Sequence, residues 1–324
     1  MNHPPPAGPA APMTDKNPHG ISLPPQPMGM LHKIFQALCD LPRTFSRTPH
    51  PKVVMTLLVK NEAELLETNL RFHHAMGVDA FVVTDNGSTD ATPDIIRRYV
   101  EKGWIVAHIA EPDTGYHQKK WVDRMVLAAK AHGADWIINA DADEFWFPPT
   151  ENFKTLLAET SANVLRCRVV NMLPREDRPF TEWDEVVQPV DEPARYGLSP
   201  FSIYGRTTFK VLHRAAGYLQ ISMGNHKVLM LPRNRADSDI VVYHFNVRSR
   251  QQFVEKMING GRELENNPSK HGGRHWRYFY DLHKAGKLEE EYDRVVGTLV
   301  ADTLRAEHYL IPDPRLKHFF AQMR

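Results

Sequence analysis

The 324-residue sequence predicts an α/β protein: a doubly wound, mostly parallel sheet flanked by helices, then a mixed-strand extension and a helical C-terminal region. Three observations predict it. Short, continuous runs of apolar and β-branched residues recur, as in strands buried on both faces. Amphipathic segments with a 3.6-residue period separate them. Strand and helix alternate four times within about 100 residues, the signature of βαβ units.

The N-terminus stands apart. Pro4, Pro5, Pro6, Pro9, Pro12, Pro18, Pro24, Pro25 and Pro27 crowd a stretch almost without large apolar residues, so residues 1–28 read as a flexible tail. In MLHKIFQALCDL, within the helix-and-linker segment 29–50, Leu31, Ile34, Phe35 and Leu38 fall at helical spacing, with Lys33, Arg43 and Arg47 nearby. Peripheral contact with a membrane surface is one reading of that helix; packing of its apolar face on the main domain is the preferred one.

Residues 51–248 form the expected main domain, divided into halves 51–147 and 148–248. VVMTLLV (Val53 to Val59) is a buried strand, and the helix after it carries Leu65, Leu66, Leu70, Phe72 and Met76 on one arc. AFVVTDN is a second strand, ended by Gly87 and Ser88; TDATPDIIRRYVEKG is a helix with Thr89 or Thr92 as cap and Pro93 in its first turn. WIVAHIA, a helix bearing Val122, Met125, Val126 and Ala129, and a fourth strand ADWIINADADEFWF complete the series. NVLRCRVVNML, TFKVLHR, HKVLML and DIVVYHFNV then read as strands joined by polar loops, and residues 249–324 turn helical again.

Composition narrows the function. Lys and Arg number 40 against 39 Asp and Glu, a net charge of +1, which argues against nucleic acid as a partner. Two cysteines, Cys39 and Cys167, build no disulfide framework. No run approaches the roughly 20 apolar residues of a transmembrane helix, and the first residues lack the pattern of a signal peptide. A cytoplasmic protein, membrane-peripheral at most, is the expectation.

Chemistry is expected beyond the carboxyl ends of the parallel strands. Lys60, Asn61 and Glu62 follow the first strand, Asp85 to Asp90 the second, and Asp141, Asp143 and Glu144 the fourth. On an extended backbone Asp141 and Asp143 would point the same way. Acidic groups wedged between Ile137, Ile138 and Phe145, Trp146, Phe147 repel one another unless a cation joins them, and hard oxygen ligands suit Mg²⁺ or Mn²⁺. Among 17 histidines, His244 closes the run VVYHF and is preferred as a further ligand, with His226 as its competitor.

LVKNEAELLETNL, TDNGSTDAT and WIINADADEFWF, in this order and spacing, resemble the family 2 glycosyltransferases of the GT-A fold, nearest the bacterial branch with a D-x-D-E-F metal motif. YHFNVRSRQQFVEKMINGG is more loosely similar to a His-containing segment of that branch. The resemblance implies a nucleotide-sugar donor, a UDP-sugar first among them, and a glycan or lipid-linked acceptor in cell-envelope glycan synthesis. It implies that Lys60, Asn61 and Glu62 border the nucleoside, that Asp85 hydrogen-bonds it, and that Asp143 binds the metal with Asp141 on metal or ribose. Glu144 would orient this motif, and Gln118, Lys119 and Asp123 would lie near the donor, with Lys119 or Lys120 facing the diphosphate. It also implies inversion at the anomeric carbon by a base after the fifth strand, where Asp177 is preferred and Glu176 adjoins it; Glu182, Asp184 and Glu185 lie further on.

Two other classes compete. A nucleotidyltransferase or metal-dependent phosphohydrolase also places carboxylates at strand ends, but the segment KNEAE after the first strand has no glycine to grip phosphate. A non-catalytic nucleotide-sugar-binding domain would gain nothing from a mutually repelling acidic cluster.

Overall fold

A computed structural model describes residues 29–44, 48–112, 117–265 and 273–323; the proline-rich segment 1–28 lies outside the described residues. The chain opens with α1 (Met30–Cys39) and α2 (Leu41–Thr44), then runs β1 (Val53–Val59), α3 (Ala63–Ala75), β2 (Ala80–Asp85), α4 (Thr92–Glu101), β3 (Ile105–Ala110), α5 (Gln118–Ala131) and β4 (Trp136–Asp141). These four strands are parallel in the order β3-β2-β1-β4. Alternation along β1 explains why helices cover two faces. Val53, Met55, Leu57 and Val59 pack with Leu65, Leu66, Leu70 and Phe72 of α3, whereas Val54 packs with Val122, Met125 and Val126 of α5.

Beyond β4 the sheet turns mixed. The remaining strands are β5 (Glu144–Phe147), β6 (Val164–Met172), β7 (Glu185–Val187), β8 (Phe209–Arg214), β9 (Tyr218–Ile221), β10 (Val228–Met230), β11 (Arg235–His244) and β12 (Leu310–Pro312). β8 lies antiparallel between β4 and β6, β11 runs parallel to β6 and antiparallel to β5, and β9 and β10 pair as a separate ribbon. The helices after β5 are α6 (Phe153–Glu159), α7 (Arg250–Glu265), α8 (Arg274–Lys284), α9 (Leu288–Val296), α10 (Ala301–Ala306) and α11 (Arg315–Gln322).

Three elements differ from the sequence expectation. The fourth strand is two: β4 ends at Asp141, a turn takes Ala142 and Asp143, and β5 leaves antiparallel to β11, so the two aspartates do not share one extended backbone. The C-terminal region is not helix alone, because β12 pairs antiparallel with β7 at the sheet edge. Its last helix also returns to the first half, where Phe319 and Phe320 of α11 meet Phe72 at ring centroid distances of 5.3 and 5.7 Å. Finally, α1 packs on the main domain, but mostly by another face than the expected one: Lys33 and Ala37 are buried and Ile34 half-buried, while Leu31, Phe35 and Leu38 face outward. An ion pair from Lys33 to Asp123 of α5 at 2.5 Å sets that orientation.

Candidate active site

The register brings the strand ends level. Val59 of β1 pairs with Asp85 of β2, and Leu58 with Asp141 of β4. Just beyond, Asn61 takes a left-handed φ of 56°, a conformation its short polar side chain tolerates. Its Oδ1 accepts from the Thr89 amide at 2.7 Å and its own amide donates to Ser88 Oγ at 2.9 Å, pinning the two loops together. Asp85 is buried and accepts from the Ser88 amide at 3.0 Å, so this carboxylate shapes the Asn86–Thr89 loop.

These ends form the floor of a two-lobed cleft. One lobe, of about 1170 Å³, is walled by Lys60, Asn61, Glu62, Gln118, Lys119, Lys120 and the polar face of α7. The other, of about 840 Å³, holds Asp141, Asp143, Glu144, Lys210, His226 and His244; Lys60, Glu62 and Lys256 belong to both. Together they are ample for a nucleotide-sized ligand. Gly260 brings α8 close: a Cβ there would lie 2.1 Å from the Trp276 ring, which lines both lobes.

Each acid at the floor has a cation against it. Lys210 Nζ lies 3.0 Å from Asp141 Oδ2 and 2.6 Å from Glu144 Oε1. Burial opposes the charge on Lys210, but Asp141 and Glu144 outweigh it and hold its pKa above the ordinary lysine value. Burial pushes Glu144 upward despite Lys210. Asp143, 4% exposed, has Lys256 Nζ 3.0 Å from Oδ2. Burial disfavours its charge most, yet Lys256, His244 and Arg248 together keep its carboxyl well below the usual range. Glu62 goes the other way, pushed up to about 7 by burial and then by Asp143, against the pull of Arg248 at 3.3 Å.

His244 faces Asp143. Its Nδ1 lies 3.2 Å from Asn171 Oδ1, an acceptor, so Nδ1 donates there and the ring turns Nε2 towards the cleft floor. Nε2 stands 3.6 Å from Asp143 Oδ1, too long for a hydrogen bond. A protonated ring would pair with the carboxylate there, and a neutral one would set Nε2 and Oδ1 side by side as two ligands for one small cation. Among the described residues no group of three or more His, Cys, Asp and Glu is arranged around a metal. A pair with open positions suits Mn²⁺ or Mg²⁺ that completes its shell with water and phosphate oxygens. His226, the competitor, instead sets Nδ1 2.8 Å from the Phe209 carbonyl oxygen.

Asp85, buried under its loop, lines neither lobe, and two further expected residues stay outside this cleft. Glu176 lines a separate cavity with Arg250 and Asp293, where it accepts from the Tyr292 hydroxyl at 2.7 Å and the Arg250 amide at 3.1 Å. Asp177 is on the surface, its oxygens 2.9 Å from Arg178 and 3.2 Å from Arg175, whose hydrogen bonds lower its pKa to about 2. A carboxylate so held and so placed is unsuited to take a proton in the cleft, which corrects the preference for Asp177 and Glu176 as the base. Lys119 and Asp123 both line the larger lobe, Asp123 while engaged by Lys33 and by the Tyr218 hydroxyl at 2.8 Å. Sequence reasoning passed over Lys210 and gave no role to Arg248 and Lys256, although both lie in the segment YHFNVRSRQQFVEKMINGG. A usable signal was present for the last two: Arg248, Gln252, Glu255, Lys256, Asn259 and Glu263 recur at helical spacing along one polar face, with Phe253 and Met257 buried opposite.

Carboxylates at the carboxyl ends of parallel strands, met by lysines from β8 and α7 under a nucleotide-sized cleft, mark the ligand site of an open-sheet α/β protein. The profile of glycosyltransferase family 92 matches residues 54–281, and the chain belongs to that family. A glycosyltransferase is thus supported, under a family number different from the one its motifs resemble. The lipopolysaccharide core biosynthesis glycosyltransferase LpsC of Rhizobium meliloti (strain 1021) is 25% identical over 146 residues, 45% of this chain and 46% of that protein, so the match spans less than half of the relative's length. Similar solved structures include the mannosyltransferase PcManGT from Pyrobaculum calidifontis in complex with GDP-Man and Mn²⁺ (15% identity, 91% of each chain, TM-score 0.39). Another is S. aureus TarS 1-349 in complex with UDP-GlcNAc (14% identity, 75% of this chain and 72% of that one, TM-score 0.38). No helix among the described residues is long and apolar enough to cross a membrane.

Proposed function

We propose that this glycosyltransferase moves a sugar from a nucleoside diphosphate donor to an acceptor hydroxyl, with inversion, in the synthesis of a cell-envelope glycan. The observation that carries the reading is the facing pair Asp143 Oδ1 and His244 Nε2 at 3.6 Å on the cleft floor. Asp143 and His244 would hold Mn²⁺ or Mg²⁺, with Asp141 beside them. Bound there, the ion would supply Lewis-acid neutralisation of the departing diphosphate.

The remaining roles fall to the chain's own side chains. Lys60, Asn61 and Glu62 border the donor lobe, and Asp85 holds the adjoining loop in shape. Lys119 and Lys256 bring positive charge to the diphosphate; Lys256 is already in the cleft and need only exchange one anionic partner for another. Lys210 and Glu144 keep the Asp141 turn fixed from behind. In the displacement the acceptor oxygen bonds to the anomeric carbon, the bond from that carbon to the phosphate oxygen breaks, and the acceptor proton passes to a carboxylate. Glu62, in both lobes and raised to about 7 in the ligand-free protein, is the cleft carboxylate placed to take that proton.

Titration with UDP and GDP, with and without Mn²⁺, tests the reading. Binding should be strengthened by the metal, and that gain should vanish in Asp143→Ala and His244→Ala. Equal affinity with and without metal would leave a binding module. A panel of nucleotide sugars should yield one that is slowly hydrolysed; cleavage of free nucleotides with no sugar released would instead mark a phosphohydrolase.

A further inference from the structure

The helix α1 carries its polarity inside out. Its buried face is Lys33 and Ala37, with Lys33 clamped by Asp123 at 2.5 Å and lying 5.6 Å from the Tyr218 ring centroid. Its outward face is apolar: Leu31 is 84% exposed, Phe35 65% and Leu38 49%, flanked by Met30 and Leu41. A soluble surface helix has no reason to spend its aromatic and aliphatic residues on water when a lysine could have stood there.

Charge indicates what covers this face. The one acid between residues 30 and 44, Asp40 at the junction of α1 and α2, is paired with Lys130 at 3.3 Å, while His32 and Arg43 are exposed. The apolar side chains present roughly 500 Å², comparable with the apolar share of one side of a standard interface, so charge and not area decides the occupant. Residues 1–28 contain no aromatic residue and only Ile21 and Leu23 as branched aliphatics, too little to cover it. The position is telling as well. Asp123, which holds Lys33, lines the cleft, and Met223, 46% exposed, lines both lobes.

We propose that the outward face of α1 docks on an anionic phospholipid surface, seating the cleft mouth at the bilayer. Leu31, Phe35 and Leu38 would enter the boundary of headgroups and acyl chains, with Arg43 against lipid phosphate. What this says of the acceptor, that it is presented from a membrane, rests on the sugar-transfer reading; the docking itself does not.

Co-sedimentation of the full chain with vesicles of phosphatidylglycerol and phosphatidylethanolamine, against pure phosphatidylcholine, is the test. Wild type should pellet with the anionic vesicles, and the double variant Leu31→Glu, Phe35→Glu should bind at least about tenfold more weakly. The milder Leu31→Ser, Phe35→Ser pair, with an unchanged melting transition, guards against misfolding. Hydrolysis of a nucleotide sugar without vesicles should be the same in all three. Wild type that ignores anionic vesicles, or a variant that binds them as well as wild type, overturns the proposal. So does a dimer in solution that the substitutions dissociate, which would assign the face to a second copy. Variant-sensitive vesicle binding with no turnover of any nucleotide sugar would keep the docking surface and remove the transfer reading; turnover without vesicle binding would do the reverse.

Discussion

Two acidic clusters of similar composition meet opposite fates in this molecule. Asp141, Asp143 and Glu144 stand where β4 gives way to β5, walled by apolar residues, with Lys210 shared by Asp141 and Glu144 and Lys256 against Asp143. Glu176 and Asp177 stand in the loop after β6, where Arg175, Arg178, Tyr292 and the Arg250 amide satisfy them at the surface or in another cavity. Residue type does not separate them. The difference is desolvation: a buried carboxylate commits the protein to supplying a cation, whereas an exposed one settles with water and neighbouring guanidinium groups. Only the first kind is primed to exchange its partner for a ligand.

The largest effect should come from removing the countercharge. Lys210→Met leaves Glu144 buried without a cation, and unfolding in urea should show a loss of about 3 kcal/mol. Lys210→Met combined with Glu144→Gln should recover part of it; a full additive loss would mean the pair is not the unit described. Asp143→Asn keeps the shape and removes a charge, and sugar transfer should fall on the order of 10²–10³-fold in kcat. Equal damage from Asp177→Asn would erase the contrast between the clusters.

Proton linkage separates the clusters more gently. Glu62, with a folded pKa of about 7 against an ordinary 4.5, binds more protons folded than unfolded between those values, so stability of the ligand-free protein should fall as pH rises from about 4.5 to about 7. Glu62→Gln should flatten that slope in urea midpoints measured across the range. For Asp177 the sign reverses: its pKa is lowered to about 2, so its contribution is present above 3.8 and lost as pH falls towards 2. Smallest of all, Asp177→Asn should change kcat/KM for a nucleotide sugar by less than about twofold, since only surface pairs are lost.

The sequence by itself determined the parallel half. Continuous apolar runs and amphipathic segments between 53 and 141 mark strands and helices that form where they were expected, because period and burial are local properties of the chain. It also named Asp141, Asp143, Glu144 and His244, which the fold brings to one floor. Tertiary structure alone decided what surrounds them. Lys210 arrives on an antiparallel strand inserted beside β4, and Lys256 on a helix 113 positions beyond the carboxylate it touches. It decided that the D-x-D pair spans a turn, and that a lysine rather than an apolar stripe anchors α1. A cation-carboxylate match in a low-dielectric interior is made between residues distant in sequence, and no spacing rule along one chain records it.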